Sequence, residues 1–119
     1  MFLRVPNLLN AEQLDEIDEA LAQATFVDGS RTAGPAAQSV KNNLQADPAS
    51  LPQLDSLVEI IVGALARHPV IRSAVMPTTV LPPLFSKYEA GMAYGDHTDN
   101  AIMGRRRLVR TDVSVTIFL

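Results

Sequence analysis

The amino-acid sequence predicts an α+β fold, with helices packed on one face of a mainly antiparallel sheet. Three observations carry that expectation. Two stretches within residues 1–75 repeat apolar side chains at helical spacing. After Met76 the chain turns to β-branched and aromatic residues punctuated by Pro and Gly. At 119 residues, with 47% apolar side chains, it can bury one core but has no room for two domains. Residues 1–75 are therefore expected to form a helical support region, and residues 76–119 the first strands of a sheet within the same domain.

The elements follow in order. "FLRVPNLL" is apolar, but Pro6 allows at most an edge strand. Asn10 is a good helix N-cap, and Gln13 three residues later completes a capping box. In "AEQLDEIDEALAQAT", Leu14, Ile17 and Leu21 form one apolar face, with Ala20 and Ala24 beside them. The acidic residues cover the other face and the first turns, where the helix dipole favours them. "FVDG" reads as a short strand and a turn at Asp28-Gly29, followed by a long irregular connection to Pro48.

Ser50 is the expected cap of a second helix, "LPQLDSLVEIIVGALARH", whose wide apolar stripe predicts deeper burial than the first. His68-Pro69 ends it, and "VIRSAV" adds a further helical turn. Strands are expected in "PTTVLPPLFSKYEAG", "MAYGDHTD" and "TDVSVTIFL". The last of these belongs inside a sheet, yet the sequence stops within it, and a terminal carboxylate is costly to bury. A domain that continues elsewhere, or a strand edge that pairs with another copy as a homo-oligomer, is expected.

Composition excludes several functions. A net charge of −3 offers no basic face for nucleic acid. The absence of cysteine removes disulfides, thiolate metal sites and thiol nucleophiles, and fits a cytoplasmic protein. No apolar run is long enough to span a membrane, and the N-terminus lacks the pattern of a secretion signal. No glycine-rich phosphate-binding motif occurs.

The chemistry concentrates in "HTDN", His97 to Asn100. In an extended segment residues i and i+2 project to the same side, so His97 and Asp99 can aim a nitrogen and an oxygen at one point. That donor pair suits a borderline divalent ion. With a second histidine it makes the two-His-one-carboxylate arrangement of non-haem iron oxygenases.

Tyr88 and Gly91 precede the histidine, giving Tyr-x-x-Gly-x5-His-x-Asp. The stretch "FSKYEAGMAYGDHTDNAI" followed by "RTDVSVTIFL" resembles the iron- and 2-oxoglutarate-dependent dioxygenases of the prolyl-hydroxylase type, above all the bacterial PKHD-type hydroxylases, often linked to iron uptake. "VPNLL", "FVDG", "KNNLQ" and "PPLFSKYE" extend the resemblance along the whole chain.

The resemblance implies a double-stranded β-helix (jelly-roll) core with helices on one side. It implies Fe(II) held by His97 and Asp99, with 2-oxoglutarate and O₂ as cosubstrates and L-ascorbate as a further cofactor. Tyr88 matches a tyrosine whose hydroxyl reaches 2-oxoglutarate, and Thr116 and Phe118 lie on a strand that lines its pocket. Oxidative decarboxylation of 2-oxoglutarate would be coupled to hydroxylation of a small-molecule or peptidyl substrate. Asn100, Arg105 and Asn43 are the candidate substrate residues. The family's second iron-binding histidine and the arginine that pairs with 2-oxoglutarate lie further downstream and have no counterpart before Leu119. His68, the only other histidine, reads as a helix-terminal residue favoured by the dipole. These 119 residues thus carry half a metal site, and little turnover is expected of them alone. A zinc enzyme without redox chemistry and a non-catalytic binding module are the competing expectations.

Overall fold

A computed structural model describes residues 1–104 and 106–119. The chain mixes helices with short strands and groups into two compact units that alternate along the sequence. One comprises residues 1–25 and 46–85, together with Leu119; the other comprises residues 26–45 and 86–118.

The first unit is helical. Helix α1 (Ala11–Ala22) begins at the anticipated capping box. Asn10 Oδ1 accepts the Gln13 N–H at 2.8 Å, and Gln13 Oε1 accepts the Asn10 N–H at 3.0 Å. Two of the donors that every helix start leaves unpaired are thereby satisfied. Asn10→Ala is expected to cost about 1 kcal/mol in urea denaturation; no loss would mean that tertiary packing alone holds this end. Ile17 is fully buried on the inner face of α1.

Helix α3 (Leu54–Arg67) buries Leu57, Ile61, Ala64 and Leu65. Leu9, Leu51, Ile71 and Phe85 are also buried in this unit. The stripe read from the sequence is thus the one that faces inward. Ser50, however, does not cap α3. It closes a 3-10 turn over Pro48–Ser50, where its hydroxyl donates to the Asp47 carbonyl at 2.8 Å and accepts the Thr25 N–H at 2.8 Å. The N-cap of α3 is Gln53, with no side-chain hydrogen bond. A serine ahead of an apolar run serves either turn equally well, and here Thr25, just beyond the end of α1, engages its hydroxyl. His68 separates α3 from α4 (Pro69–Ala74), with Pro69 at the first helical position.

The second unit holds the strands. The short strand and turn expected in "FVDG" are β1 (Phe26–Asp28) and a 3-10 turn (Gly29–Thr32), while the stretch expected to be an irregular connection contains the single turn α2 (Pro35–Gln38), β2 (Lys41–Asn42) and β3 (Leu44–Ala46). Strands this short show no period-2 alternation, so composition alone read β2 and β3 as loop. Further along come β4 (Ser86–Lys87), β5 (Ala93–Tyr94), β6 (Ile102–Met103) and β7 (Val109–Arg110).

One sheet has the order β1-β3-β4, with β3 and β4 antiparallel and Leu44 opposite Lys87. Strand β2 pairs antiparallel with β5, placing Lys41 opposite Tyr94 and Asn42 opposite Ala93. Strands β6 and β7 form an antiparallel hairpin, extended by the Thr111 N–H to the Ala101 carbonyl at 2.9 Å. No strand forms over residues 77–85, where prolines interrupt the expected run, nor over "FLRVPNLL".

Residues 112–119 are also outside any ladder, contrary to the strand expected there. Their β-branched residues supply the propensity, but a strand exists only where a neighbour accepts its hydrogen bonds. Val113, Val115 and Phe118 are correspondingly exposed. No helix among the described residues is long and apolar enough to cross a membrane.

Candidate metal centre

Strand β5 delivers the site. Beyond Tyr94, the ladder with β2 continues by one bond, from the Gly95 N–H to the Val40 carbonyl at 2.8 Å. That bond anchors Gly95 to β2, and the Gly95 carbonyl, in the next peptide plane, lies 2.8 Å from His97 Nδ1. A carbonyl can only accept, so Nδ1 carries the proton. In the neutral ring the lone pair is then on Nε2, and Nε2 lies 3.1 Å from Asp99 Oδ1.

Two lone-pair bearers facing each other at that distance repel unless a cation lies between them. A proton would make the ring an imidazolium; a metal ion would serve equally. Two ligands about 2.1 Å from a common ion and at right angles to each other lie about 3.0 Å apart. The observed separation therefore fits adjacent positions around one divalent ion. Holding the far ring nitrogen on a backbone carbonyl is the usual way a ligating histidine is oriented.

Packing locks the ring further. Tyr94 stacks on His97 with centroids 3.8 Å apart and planes 10° from parallel. The His97 side chain is 23% exposed and that of Asp99 61%, so the imidazole is sheltered while the carboxylate faces solvent. Burial pushes the Tyr94 hydroxyl above its ordinary pKa, with the negative charge of Asp99 acting in the same direction. Tyr94 thus remains a neutral phenol.

A second cluster surrounds Tyr88. Asn43, 3% exposed, donates from Nδ2 to the Tyr88 hydroxyl at 2.9 Å, while its Oδ1 is buried with no partner. Gly29 makes this arrangement feasible. Its N–H donates to the Asn43 carbonyl at 2.9 Å, and a Cβ at position 29 would fall 1.9 Å from Asn43 Oδ1. The Gly of "FVDG" and the second Asn of "KNNLQ" are therefore in direct contact. Asn43 is a buried brace for Tyr88 and lies on no exposed rim.

A third group centres on Lys41. Its Nζ donates to Thr32 Oγ1 at 3.0 Å and lies 5.1 Å from the centroid of the Tyr94 ring. Tyr94 therefore touches both Lys41 and His97.

The other expected residues stand apart from these groups. The Asn100 carbonyl accepts from the Thr111 hydroxyl, and its side chain rests over Gly34, where a Cβ would sit 3.1 Å from Oδ1. Thr116 and Phe118 are exposed in the unpaired segment. Arg105 lies outside the described residues. His68 occupies the α3–α4 junction with Nδ1 buried and unpartnered. Among the described residues no group of three or more His, Asp or Glu is placed to hold a metal, so His97 and Asp99 stand as a pair. The sequence analysis did not single out Tyr94, Thr32, Gln45 or Gly95. Only the register of β2 against β5 could have drawn them in.

With this geometry in view, comparison with known proteins is informative. The chain is 47% identical over its whole length to a PKHD-type hydroxylase of Hyphomonas neptunium, covering 54% of that protein. It is 44% identical to a PKHD-type hydroxylase of Beijerinckia indica and 43% identical to one of Crocosphaera subtropica, again over its whole length. It spans about half the length of these curated relatives. No family model and no solved structure matches. The chain belongs with the PKHD-type hydroxylases and corresponds to their N-terminal portion.

Proposed function

We propose that this chain carries the His-x-Asp half of the iron site of a 2-oxoglutarate-dependent hydroxylase. The observation that supports it is the His97 Nε2 to Asp99 Oδ1 separation of 3.1 Å with Nδ1 committed to the Gly95 carbonyl. Bound there, Fe(II) would supply O₂ activation coupled to decarboxylation of 2-oxoglutarate and hydroxylation of a C–H bond. His97 and Asp99 would hold the ion. Tyr94 keeps the imidazole plane fixed, and Gly95 keeps its proton on Nδ1.

The Tyr88 hydroxyl, positioned by Asn43, would meet 2-oxoglutarate. Thr116 and Phe118 would line the cosubstrate pocket once their segment joins a jelly-roll sheet, with residues 76–119 supplying its first strands. The relatives' greater length leaves room for a third ligand and for an arginine to pair with 2-oxoglutarate, so the 119 residues alone are expected to turn over little. A small-molecule or peptidyl substrate is the matching partner class.

Mn(II) is a paramagnetic stand-in that broadens amide resonances near its binding site. Titrated into the protein, it is expected to erase signals centred on Gly95 to Asn100, and to do so no longer in His97→Ala. Broadening spread over the acidic face of α1, unchanged in the variant, would end this reading.

A further inference from the structure

Lys41 combines burial with an unneutralised charge. The residue is 9% exposed and sits on β2 opposite Tyr94. Its ammonium has three donors, and one goes to Thr32 Oγ1. That hydroxyl lies 2.5 Å from Gln45 Oε1, itself part of a buried side chain, and within 3.1 Å of the Gly29 carbonyl. Both neighbours can only accept here, so the hydroxyl proton goes to one of them and its lone pair receives Lys41. The ammonium is thus anchored by a neutral oxygen.

Among the described residues no carboxylate lies within ion-pair distance of Lys41. Asp28 exerts the one opposing charge effect on it, but the Asp28 carboxylate is occupied by the Ser30 N–H at 2.9 Å. Burial accordingly depresses the amine below its ordinary pKa. Buried cations are ordinarily paired, and two of this one's N–H donors have no protein partner among the described residues. The Tyr94 ring, 5.1 Å from the ammonium, also stacks on His97, so one side chain links the unused donors to a candidate metal ligand.

We propose that Lys41 is the anion-recognising residue of a carboxylate-binding site beside Tyr94. Two free donors on a single cation match the two oxygens of a carboxylate. Phosphate sites gather several donors from arginine forks or successive backbone amides, and among the described residues no such donor shares the Lys41–Thr32 hydrogen-bond group. The carboxylate can come from 2-oxoglutarate or from the molecule to be hydroxylated. Naming those two sources rests on the function proposed above; carboxylate binding itself does not.

The chain has two lysines, so selectively labelled lysine gives two side-chain NMR signals, with exposed Lys87 as an internal control. Glutarate titrated into the protein in EDTA is expected to shift the Lys41 signal saturably and leave Lys87 in place. In Lys41→Met, glutarate affinity read from backbone amides is expected to fall about tenfold or more, and in Lys87→Met to stay unchanged. Absence of a saturable Lys41 shift in the unmodified protein would overturn the proposal, as would unchanged affinity in a folded Lys41→Met.

A second arm uses 2-oxoglutarate with Mn(II). An equal loss in Lys41→Met assigns the carboxylate to the cosubstrate, and no loss assigns it to the other molecule; either result upholds the site. Since EDTA keeps metal out of the first arm, its failure would remove the carboxylate site while leaving the metal reading to the Mn(II) titration.

Discussion

Asp99→Asn is expected to abolish metal binding at His97 while leaving the fold intact. The amide is nearly the same shape as the carboxylate, and its N–H can donate to the lone pair on His97 Nε2, 3.1 Å away from Oδ1 in the native chain. The substitution thus replaces a contact that needs a cation with one that excludes it. Loss of groups that merely orient a ligand costs roughly 10- to 100-fold in metal affinity. Removing the anionic ligand itself should cost at least that much, measured by Mn(II) or Zn(II) titration calorimetry. Thermal unfolding without metal should stay within about 0.5 kcal/mol of the parent, as for surface substitutions generally. Retained affinity would mean that the ion is held elsewhere. A large fall in stability would mean that the pair is a structural imidazolium–carboxylate bridge.

The second large effect is structural. Leu57 on α3 is fully buried, one of two large side chains with no exposure, the other being Ile17 on α1. Leu57→Ala removes apolar volume from a packed site and leaves a cavity that its neighbours fill only in part. A cost of about 2–5 kcal/mol is expected. A small domain has a total of about 5–15 kcal/mol to lose, so urea denaturation should show a clear fall in midpoint at unchanged slope. A loss under about 1 kcal/mol would show that α3 repacks freely around position 57. Arg67, exposed at the other end of the same helix, is the contrasting position.

The two halves of the chain were legible to different degrees, and the reason is the range of the forces involved. Helix α1 could be read completely because its signals are local. A capping box needs residues three apart, and burial of Ile17 follows from a period of 3.6. The stripe of α3 was visible for the same reason, and so was its end at His68-Pro69. Its start was not, because Ser50 had two possible partners and the choice lay with Thr25, distant in sequence.

The strands were legible only in part: β1, β4 and β5 fall within stretches expected to hold strands, but β2, β3 and the unpaired end do not follow the expectation. Two- and three-residue strands carry no periodicity, and 112–119 shows that strand-like composition without a hydrogen-bonding neighbour yields no strand. Within the candidate site, His97 and Asp99 were recognisable because an i, i+2 pair converges by local geometry alone. Family resemblance then pointed to the metal such a pair would hold.

The sequence by itself determined α1, α3 and α4, the inward faces of α1 and α3, and the pairing of one imidazole with one carboxylate, all consequences of neighbours a few residues apart. Only the tertiary structure decided which imidazole nitrogen is free, since that depends on the carbonyl of Gly95, a residue anchored to Val40 across the β2–β5 ladder. It alone seated Asn43 on Gly29 beneath Tyr88, and set the buried ammonium of Lys41 against Tyr94. These contacts join residues far apart along the chain through strand register, and register in strands this short is fixed by what packs around them.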